Sequence, residues 1–246
     1  MPDYADRRVL WVIGYPRSGT TWAARLLGYT LHCPVLSLSH EYDYLDDPVV
    51  SGMDLDGQWV VRRAHWNIPG SPIDGPQYNP TKDKILHVAR DPRGVSISCY
   101  HHFTFNHGEP CALAKCVRQL CGLEPGPPLT WNGNTRSGWP GYISDWLDFE
   151  DSMKKKRKVT HVRHTRYIDL YSKGAISLQS LLSQMRIPFD EARTHEAIEV
   201  YRFDRSPKDR LMRRGEAGKW HEELPPDLEA IILQQCGDVM ARLRYV

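Results

Sequence analysis

The stretch VIGYPRSGTTW, residues 12–22, has the spacing of a phosphate-binding loop but lacks that loop's lysine. Gly14 and Gly19 are five positions apart, as in G-x-x-x-x-G-K-[ST], and Thr20 occupies the lysine position. Glycines at both ends let the backbone wrap around an anion, and we expect the N–H groups of residues 18–21 to point inward at a helix start. The positive charge lies on Arg17, three positions earlier. Such a loop suits a single 5′-phosphate that carries one transferable group, bound without metal, better than a nucleoside triphosphate.

The segment PRSGTTW resembles the 5′-phosphosulfate loop of the sulfotransferases, whose common form has lysine or arginine after the proline. The resemblance implies that the donor is 3′-phosphoadenosine 5′-phosphosulfate, that the product is adenosine 3′,5′-bisphosphate, and that no metal takes part. Because glycine-rich loops also occur by chance, the other family segments are expected to follow in order. The loop residues to which the resemblance gives donor contacts are Arg17, Ser18, Gly19, Thr20, Thr21 and Trp22.

A second segment, KILHVARDPRGVSISCYHHF at residues 84–103, resembles the family's 3′-phosphate motif, a strand that ends in arginine before a helix with a serine. Arg90 and Ser98 occupy those two positions. A guanidinium at a strand's C-terminal end offers a planar fork to a phosphate, and the serine hydroxyl can join it. The alternative is a structural turn in which Arg90 forms an ion pair with Asp91 or Asp204.

A third segment, RLMRRGEAGKW at residues 210–220, resembles the arginine–lysine–glycine segment that closes over the same phosphate. Arg213, Arg214 and Gly215 match it, with arginine in place of the usual lysine. Two guanidinium groups beside backbone N–H groups would cap a dianion. A mobile surface loop without that role is the alternative.

The tripeptide RAH, residues 63–65, matches the lysine–threonine–histidine segment in which the family carries its general base. An imidazole with a pKa near ~6.5 can accept the proton of an attacking hydroxyl. The resemblance implies that His65 is this base and that Arg63 steadies the moving sulfonate. Arg17 would act as a fixed charge on the leaving group, because a guanidinium does not readily donate a proton. The chain has eleven histidines, so an isolated histidine would more often be structural.

Three aromatic residues are candidates for binding adenine. Trp22 resembles the family's tryptophan that packs on the base, Tyr167 matches the tyrosine of its tyrosine–glutamate–aspartate–leucine segment, and Phe203 is a second stacking face. Each is equally well explained as an ordinary core residue.

The pattern of apolar residues predicts an α/β protein, a single domain over residues 1–246 with a central, mostly parallel sheet flanked by helices. Apolar runs predict strands at 9–14, 58–61, 84–89 and 159–163. Apolar spacing predicts helices at 20–31, from Pro92 onward, at 178–185 and at 228–243. Proline and glycine predict irregular acceptor-side loops at about 66–80 and 104–142.

Composition argues against nucleic acid, a membrane span and a disulfide scaffold. The formal net charge is +2, and the longest apolar run is well short of the ~20 residues that cross a bilayer. The N-terminus lacks the apolar region of a secretory signal, so we expect a cytoplasmic protein. The six cysteines are interpreted as free thiols, because Cys111, Cys116 and Cys121 lack the C-x-x-C spacing of a zinc site.

The acceptor is expected to be a small hydroxylated molecule, an alcohol or a phenol, because aromatic residues in or beside the two loops predict a flat-walled pocket. A carbohydrate would stack on the same walls and is the alternative. A magnesium-dependent kinase and a non-catalytic nucleotide-binding module are disfavoured by Thr20 and His65, respectively. The aromatic residues concerned are Trp66, Tyr78, Tyr100, Phe103, Phe105, Trp131, Trp139 and Tyr142.

Overall fold

The computed structural model describes residues 7–38, 43–45, 58–65, 78–79, 81–106, 112–125, 138–156, 161–202 and 218–246. Within these ranges six strands form a single sheet: β1 (Arg8–Ile13), β2 (Val35–Leu38), β3 (Asp43–Leu45), β4 (Trp59–Ala64), β5 (Lys84–Ala89) and β6 (Val162–Arg166). Their order is β3-β2-β4-β1-β5-β6, and every neighbouring pair is parallel except β2 with β3. The predicted α/β fold with a mostly parallel sheet is confirmed.

Strand β1 lies between β4 and β5 and is buried on both faces, as its continuous apolar run predicts. Leu10 and Val12 point to one face of the sheet, whereas Trp11 and Ile13 point to the other. Ile13 pairs with Ala64 of β4 and with His87 of β5. The C-terminal ends of these three strands therefore lie side by side.

Helices cover both faces of the sheet. Their bounds are α1 (Thr20–Thr30), α2 (Pro92–His101), α3 (Leu113–Leu120), α4 (Gly138–Lys155), α5 (Tyr167–Gln184), α6 (Glu191–Val200) and α7 (Pro226–Arg242). Helices α1, α5 and α6 pack on the face of Leu10, and α2, α3, α4 and α7 pack on the face of Trp11. A π-helical turn (His102–Asn106) extends α2, and a 3₁₀ turn (Lys219–Glu222) precedes α7. No described helix combines the length and apolar character that a membrane span requires.

Several predicted boundaries need correction. The predicted strand at 159–163 lies at 162–166, and the helix predicted at 178–185 begins at Tyr167. The stretch predicted to be an irregular loop at 104–142 contains α3 and the first residues of α4. In α3 only Cys116, Val117, Gln119 and Leu120 are buried, and so narrow a stripe beside a proline-rich run gives a weak helical signal.

Five cysteines lie within the described ranges, and all five are buried thiols that form no disulfide there: Cys33, Cys99, Cys116, Cys121 and Cys236. The interpretation as thiols agrees with the structure for these five, and Cys111 lies outside the described residues.

Candidate active site

The predicted catalytic residues of the described chain meet at the C-terminal edge of the sheet. His65 directly follows β4, the phosphate loop follows β1, and Arg90 directly follows β5. Helix α1 leaves β1 toward one face and α2 leaves β5 toward the other, so a crevice opens between these two strands. In open parallel sheets this is the position at which ligands bind.

The loop between β1 and α1 ends in a left-handed glycine, Gly19, with φ 90°. The first intrahelical bond runs from the N–H of Ala23 to the carbonyl of Gly19 (3.0 Å). The N–H groups of residues 20–22 precede this bond and have no intrahelical acceptor, which makes them anion donors. The prediction was wrong for Ser18, because its N–H donates to the carbonyl of Tyr15 (3.0 Å). The Ser18 hydroxyl, in contrast, is fully buried without a hydrogen-bond partner among the described residues.

Both loop glycines are required by close packing. A Cβ on Gly14 would lie 2.5 Å from the carbonyl oxygen of Val88 and 2.8 Å from the methyl group of Thr20. A Cβ on Gly19 would lie 2.5 Å from the ring of Tyr167. Thr20 is only 3% exposed. Thr20, the residue in the lysine position, therefore packs against Gly14 of the loop, and the Tyr167 ring packs against Gly19.

Arg17 has a left-handed backbone, with φ 68°, which is unusual for a residue other than glycine. Its Nε donates to the Ser98 hydroxyl (3.2 Å), and its carbonyl accepts from Nη1 of Arg90 (3.2 Å). Burial lowers the pKa of Arg17, and the charges of Arg90 and Arg63 lower it further although Cys99 opposes them. The two residues predicted to bind the 3′-phosphate thus hold the loop, and three guanidinium groups lie close enough to favour an anion between them.

Arg90 has no acidic partner within the described part of the chain. Asp91 instead binds the guanidinium of Arg93 (2.7 Å) and caps α2 by accepting from the Arg93 N–H (2.9 Å). The interpretation of Arg90 as a partner of Asp91 is therefore wrong, and Asp204 lies outside the described residues. The Arg90 guanidinium lies 4.8 Å from the ring centroid of Tyr167. A guanidinium has five N–H donors, so one bond to Arg17 leaves donors for a phosphate.

His65 is hydrogen-bonded to the phosphate loop. Its Nδ1 lies 2.8 Å from the carbonyl oxygen of Gly14, so Nδ1 carries the proton and Nε2 the lone pair. Nη1 of Arg63 donates to the Nε2 lone pair over 3.4 Å, a long bond that an acceptor hydroxyl would replace. Burial lowers the pKa of His65 to about 4, and the charges of Arg63 and Arg17 act in the same direction against the Gly14 hydrogen bond. The imidazole is therefore neutral near pH 7 and able to accept a proton at Nε2.

The aromatic candidates for adenine binding are largely core residues where the structure describes them. Trp22 is 5% exposed, and its indole N–H donates to the carbonyl of Tyr201 (3.0 Å). Its ring packs edge-on against Tyr167, with centroids 5.6 Å apart. Phe203 and the predicted capping residues Arg213, Arg214 and Gly215 lie outside the described residues.

The predicted aromatic acceptor pocket needs a correction. Phe103, Trp139 and Tyr142 are 5%, 0% and 3% exposed and belong to the core beneath α2, α3, α4 and α7. Trp139 and Tyr142 are packing residues because α4 begins within the stretch that was predicted to be a loop, and Phe103 packs from the π-helical turn after α2. Trp66, Phe105 and Trp131 fall among residues whose side chains are not described.

Sequence reasoning missed the carbonyl of Gly14 as the partner of His65, because backbone contacts between distant strands leave no sequence signal. It also missed Arg93, which binds Asp91 and Glu229 (3.0 Å) and lies 4.0 Å from the ring centroid of Trp220. The pair Asp91–Pro92 at the start of a helix was the available signal for the capping part of this network. In the described ranges no group of three histidine, cysteine or acidic residues could hold a metal ion, and the metal-free reaction stays a prediction.

Comparison with known proteins decides the family. Residues 76–244 match the family model described as Sulfotransferase domain. The chain belongs to the sulfotransferase family. Its activity is therefore of the sulfuryl-transfer class, as the sequence resemblance predicted. No curated protein has a sequence that matches this sulfotransferase significantly.

Solved structures share the fold over nearly the whole chain. A mouse sulfotransferase, SULT7A1, complexed with PAP has a TM-score of 0.68 and 15% identity, over 97% of this chain and 88% of that one. Retinol dehydratase in complex with androsterone and the inactive cofactor PAP has a TM-score of 0.64 and 15% identity, over 94% and 80%. A sulfotransferase from Alicyclobacillus acidocaldarius has a TM-score of 0.55 and 11% identity, over 97% and 95%. At these identities the likeness establishes the sulfotransferase fold.

Proposed function

We propose that this sulfotransferase transfers the sulfuryl group of 3′-phosphoadenosine 5′-phosphosulfate to the hydroxyl group of a small alcohol or phenol, and that it acts in the cytoplasm. The observation that carries the proposal is the hydrogen bond between His65 and the Gly14 carbonyl, because it joins a neutral base directly to the phosphate loop. PAP in the mouse sulfotransferase structure supports the donor. Androsterone and retinol, bound in two structures of retinol dehydratase, support a small hydroxylated acceptor.

The described residues fit a phosphosulfate at the loop. Burial lowers the pKa of Arg17, and the positive charges of Arg90 and Arg63 lower it further. The buried Ser18 hydroxyl lacks a partner among the described residues. The N–H groups at the start of α1 supply further donors. An anion in this position would satisfy all of them at once.

The reaction is an in-line displacement at sulfur. Nε2 of His65 takes the proton from the acceptor hydroxyl as the acceptor oxygen forms its bond to sulfur. The bond between sulfur and the bridging phosphate oxygen breaks, and its electron pair leaves with the 5′-phosphate of adenosine 3′,5′-bisphosphate. Arg17 and the loop N–H groups offset the negative charge that develops there, and Arg63 steadies the sulfonate.

Recognition of the donor's 3′-phosphate is assigned to Arg90 and Ser98. Both already contact Arg17, so a phosphate bound by them would lie next to the loop that binds the 5′-phosphosulfate. Arg213, Arg214 and Gly215 are proposed to cap the same phosphate from the sequence resemblance. Trp22, Tyr167 and Phe203 are proposed to form the adenine side, Trp22 and Tyr167 with limited exposed area.

Isothermal titration calorimetry tests the donor. We expect adenosine 3′,5′-bisphosphate to bind at least about tenfold more tightly than adenosine 5′-phosphate, because a hydrogen bond to a charged group such as Arg90 contributes about 1.5–3 kcal/mol. ATP with magnesium is the third ligand. Preference for ATP would refute the proposal, since a 3′-phosphate site gives ATP no advantage.

The base is tested with His65→Asn in a transfer assay with 3′-phosphoadenosine 5′-phosphosulfate and a set of phenols, sterols and sugars. We expect transfer to fall by about 10²–10⁴-fold, while affinity for the bisphosphate stays near that of the wild type. The matched control is His161→Asn, because Nδ1 of His161 also bonds a backbone carbonyl, that of Asp83 (3.1 Å), at the opposite end of the sheet. A wild-type rate for His65→Asn would show that the base is a different group.

A further inference from the structure

The segment that follows α7 crosses the C-terminal ends of β5 and β6. The hydroxyl of Tyr245 donates to the carbonyl oxygen of Ala89 at 3.1 Å. Ala89 is fully buried, is the last residue of β5 and directly precedes Arg90. A side chain 156 residues away in the chain thus bonds the backbone from which Arg90 leaves the sheet.

Two arginines hold this segment in place. Nη2 of Arg93 donates to the carbonyl of Tyr245 (3.2 Å), and Nη1 of Arg166 donates to the carbonyls of Leu243 (3.2 Å) and Arg244 (3.0 Å). Both arginines carry an acidic partner of their own. Arg93 binds Asp91 and Glu229, and Arg166 binds Asp169 through two nitrogens (2.6 and 2.9 Å). Bidentate, partly buried ion pairs of this kind hold the two guanidinium groups in one orientation. The backbone of residues 243–245, from which Tyr245 reaches Ala89, is therefore held in place.

The hydroxyl of Tyr245 is a neutral donor in this environment. Burial raises its pKa above the ordinary value, Asp91 raises it further, and Arg90 is among the cations that oppose this shift. The side chain is therefore half-buried and lies near Arg90.

We propose that Tyr245 is a positioning residue for Arg90 and hence for recognition of the donor's 3′-phosphate, an inference that rests on the proposed function. The Arg90 guanidinium is directed by its bond to the Arg17 carbonyl and by the Tyr167 ring, and the Tyr245 bond holds the backbone on its N-terminal side. A bidentate phosphate contact loses much of its strength when the guanidinium is displaced by a fraction of an ångström. Tyr245 does not touch the reacting atoms and acts through Arg90.

The test compares two ligands on Tyr245→Phe, which removes only the hydroxyl. We expect the affinity for adenosine 3′,5′-bisphosphate to fall by about three- to tenfold, the usual effect of one hydrogen bond, while that for adenosine 5′-phosphate changes by less than about twofold. The preference for the 3′-phosphate therefore decreases. Tyr29→Phe is the control, because the Tyr29 hydroxyl also has a hydrogen-bond partner, the Glu196 side chain, but on the α1–α6 side of the sheet. It should leave the preference unchanged.

A second variant, Arg166→Lys, keeps the charge beside Asp169 and loses the fork that binds Leu243 and Arg244. It should lower the preference in the same direction, and thermal melting establishes that each variant is folded. The proposal would be overturned if a variant lost the same affinity for both ligands. It would also be overturned if both folded variants kept the wild-type preference for adenosine 3′,5′-bisphosphate. A wild-type protein without any preference for the 3′-phosphate would instead refute the proposed donor, so the two failures are distinguishable.

Discussion

Nδ1 of His65 and the carbonyl oxygen of Gly14 are 2.8 Å apart, which makes the base part of the phosphate loop's hydrogen-bond network. A carbonyl can only accept, so the proton of the neutral imidazole is held on Nδ1 and the lone pair on Nε2. Gly14 is closely packed, because there is no room for even a Cβ between it and Val88 or Thr20. The base and the loop therefore keep a fixed relation.

The pH profile of kcat/KM should reflect the low pKa of His65. Burial lowers this pKa to about 4, from an ordinary value of 6.5, with Arg63 as the next cause. The free enzyme therefore keeps its base unprotonated down to about pH 4, and the acid limb should lie near that value. Nitrogen-15 NMR of the imidazole should give the same pKa and a proton on Nδ1. An acid limb and an NMR midpoint near 6.5 would contradict the buried geometry.

Arg63→Met should raise the pKa of His65, because it removes the second largest cause of the shift. The NMR midpoint of His65 and the acid limb of kcat/KM should both move to higher pH, and kcat should fall through loss of the charge beside the sulfonate. Arg62→Met is the matched control. Arg62 is the neighbouring arginine on β4 and packs over Trp11, with its guanidinium 5.6 Å from the ring centroid. A titration of His65 that is the same in both variants would disprove the coupling.

His87 should make the fold less stable at acid pH. Its ring is fully buried and stacked on Trp146, and neither ring nitrogen has a hydrogen-bond partner among the described residues. Burial, and then the charge of His164, lower its pKa well below 6.5. The unfolded chain binds the proton more readily, so the free energy of unfolding falls as the pH drops below about 6.5.

His87→Phe should therefore raise the free energy of unfolding by roughly 1 kcal/mol at neutral pH, since it replaces unsatisfied polar atoms with an apolar ring. The decrease in the free energy of unfolding between pH 6.5 and 5 should also be smaller in this variant than in the wild type. The measurement is urea unfolding at several pH values. His164→Phe is the control and should be destabilising, because Nδ1 of His164 is bound to Glu150 (2.9 Å). Destabilisation by His87→Phe together with an unchanged pH slope would contradict this explanation.

Gly19→Ala should damage the loop, whereas the same change at Gly237 should not. Gly19 has φ 90° and no room beside the Tyr167 ring, so alanine there costs about 1–2 kcal/mol in backbone strain alone. In Gly19→Ala both the free energy of unfolding and the affinity for adenosine 3′,5′-bisphosphate should decrease. A Cβ at Gly237, inside α7, would meet nothing within 4 Å, and alanine there should stabilise by up to about 1 kcal/mol. Thermal melting and calorimetry of both variants measure this difference, and equal behaviour would contradict it.

Local sequence was sufficient for the parts of the site that lie within one strand–loop–helix unit. The spacing of Gly14 and Gly19 located the loop, and Arg90 at the end of an apolar run predicted a strand-end arginine, because these features depend only on neighbouring residues. The order of the segments was sufficient for the family and the mostly parallel sheet. Weaker local patterns failed, as in α3 and at the start of α4, where tertiary packing completes the helix.

The tertiary structure alone decided which residues meet. Arg17 contacts Ser98, His65 contacts Gly14, and Tyr245 contacts Ala89, at separations of 81, 51 and 156 residues. Such contacts follow from the order of parallel strands and from the segment that crosses their ends, and no periodicity encodes them. Burial likewise turned Trp22 and Tyr142 into core residues and lowered the pKa of His65. The residue types could be read from the sequence, but their protonation, orientation and partners depend on the packed sheet.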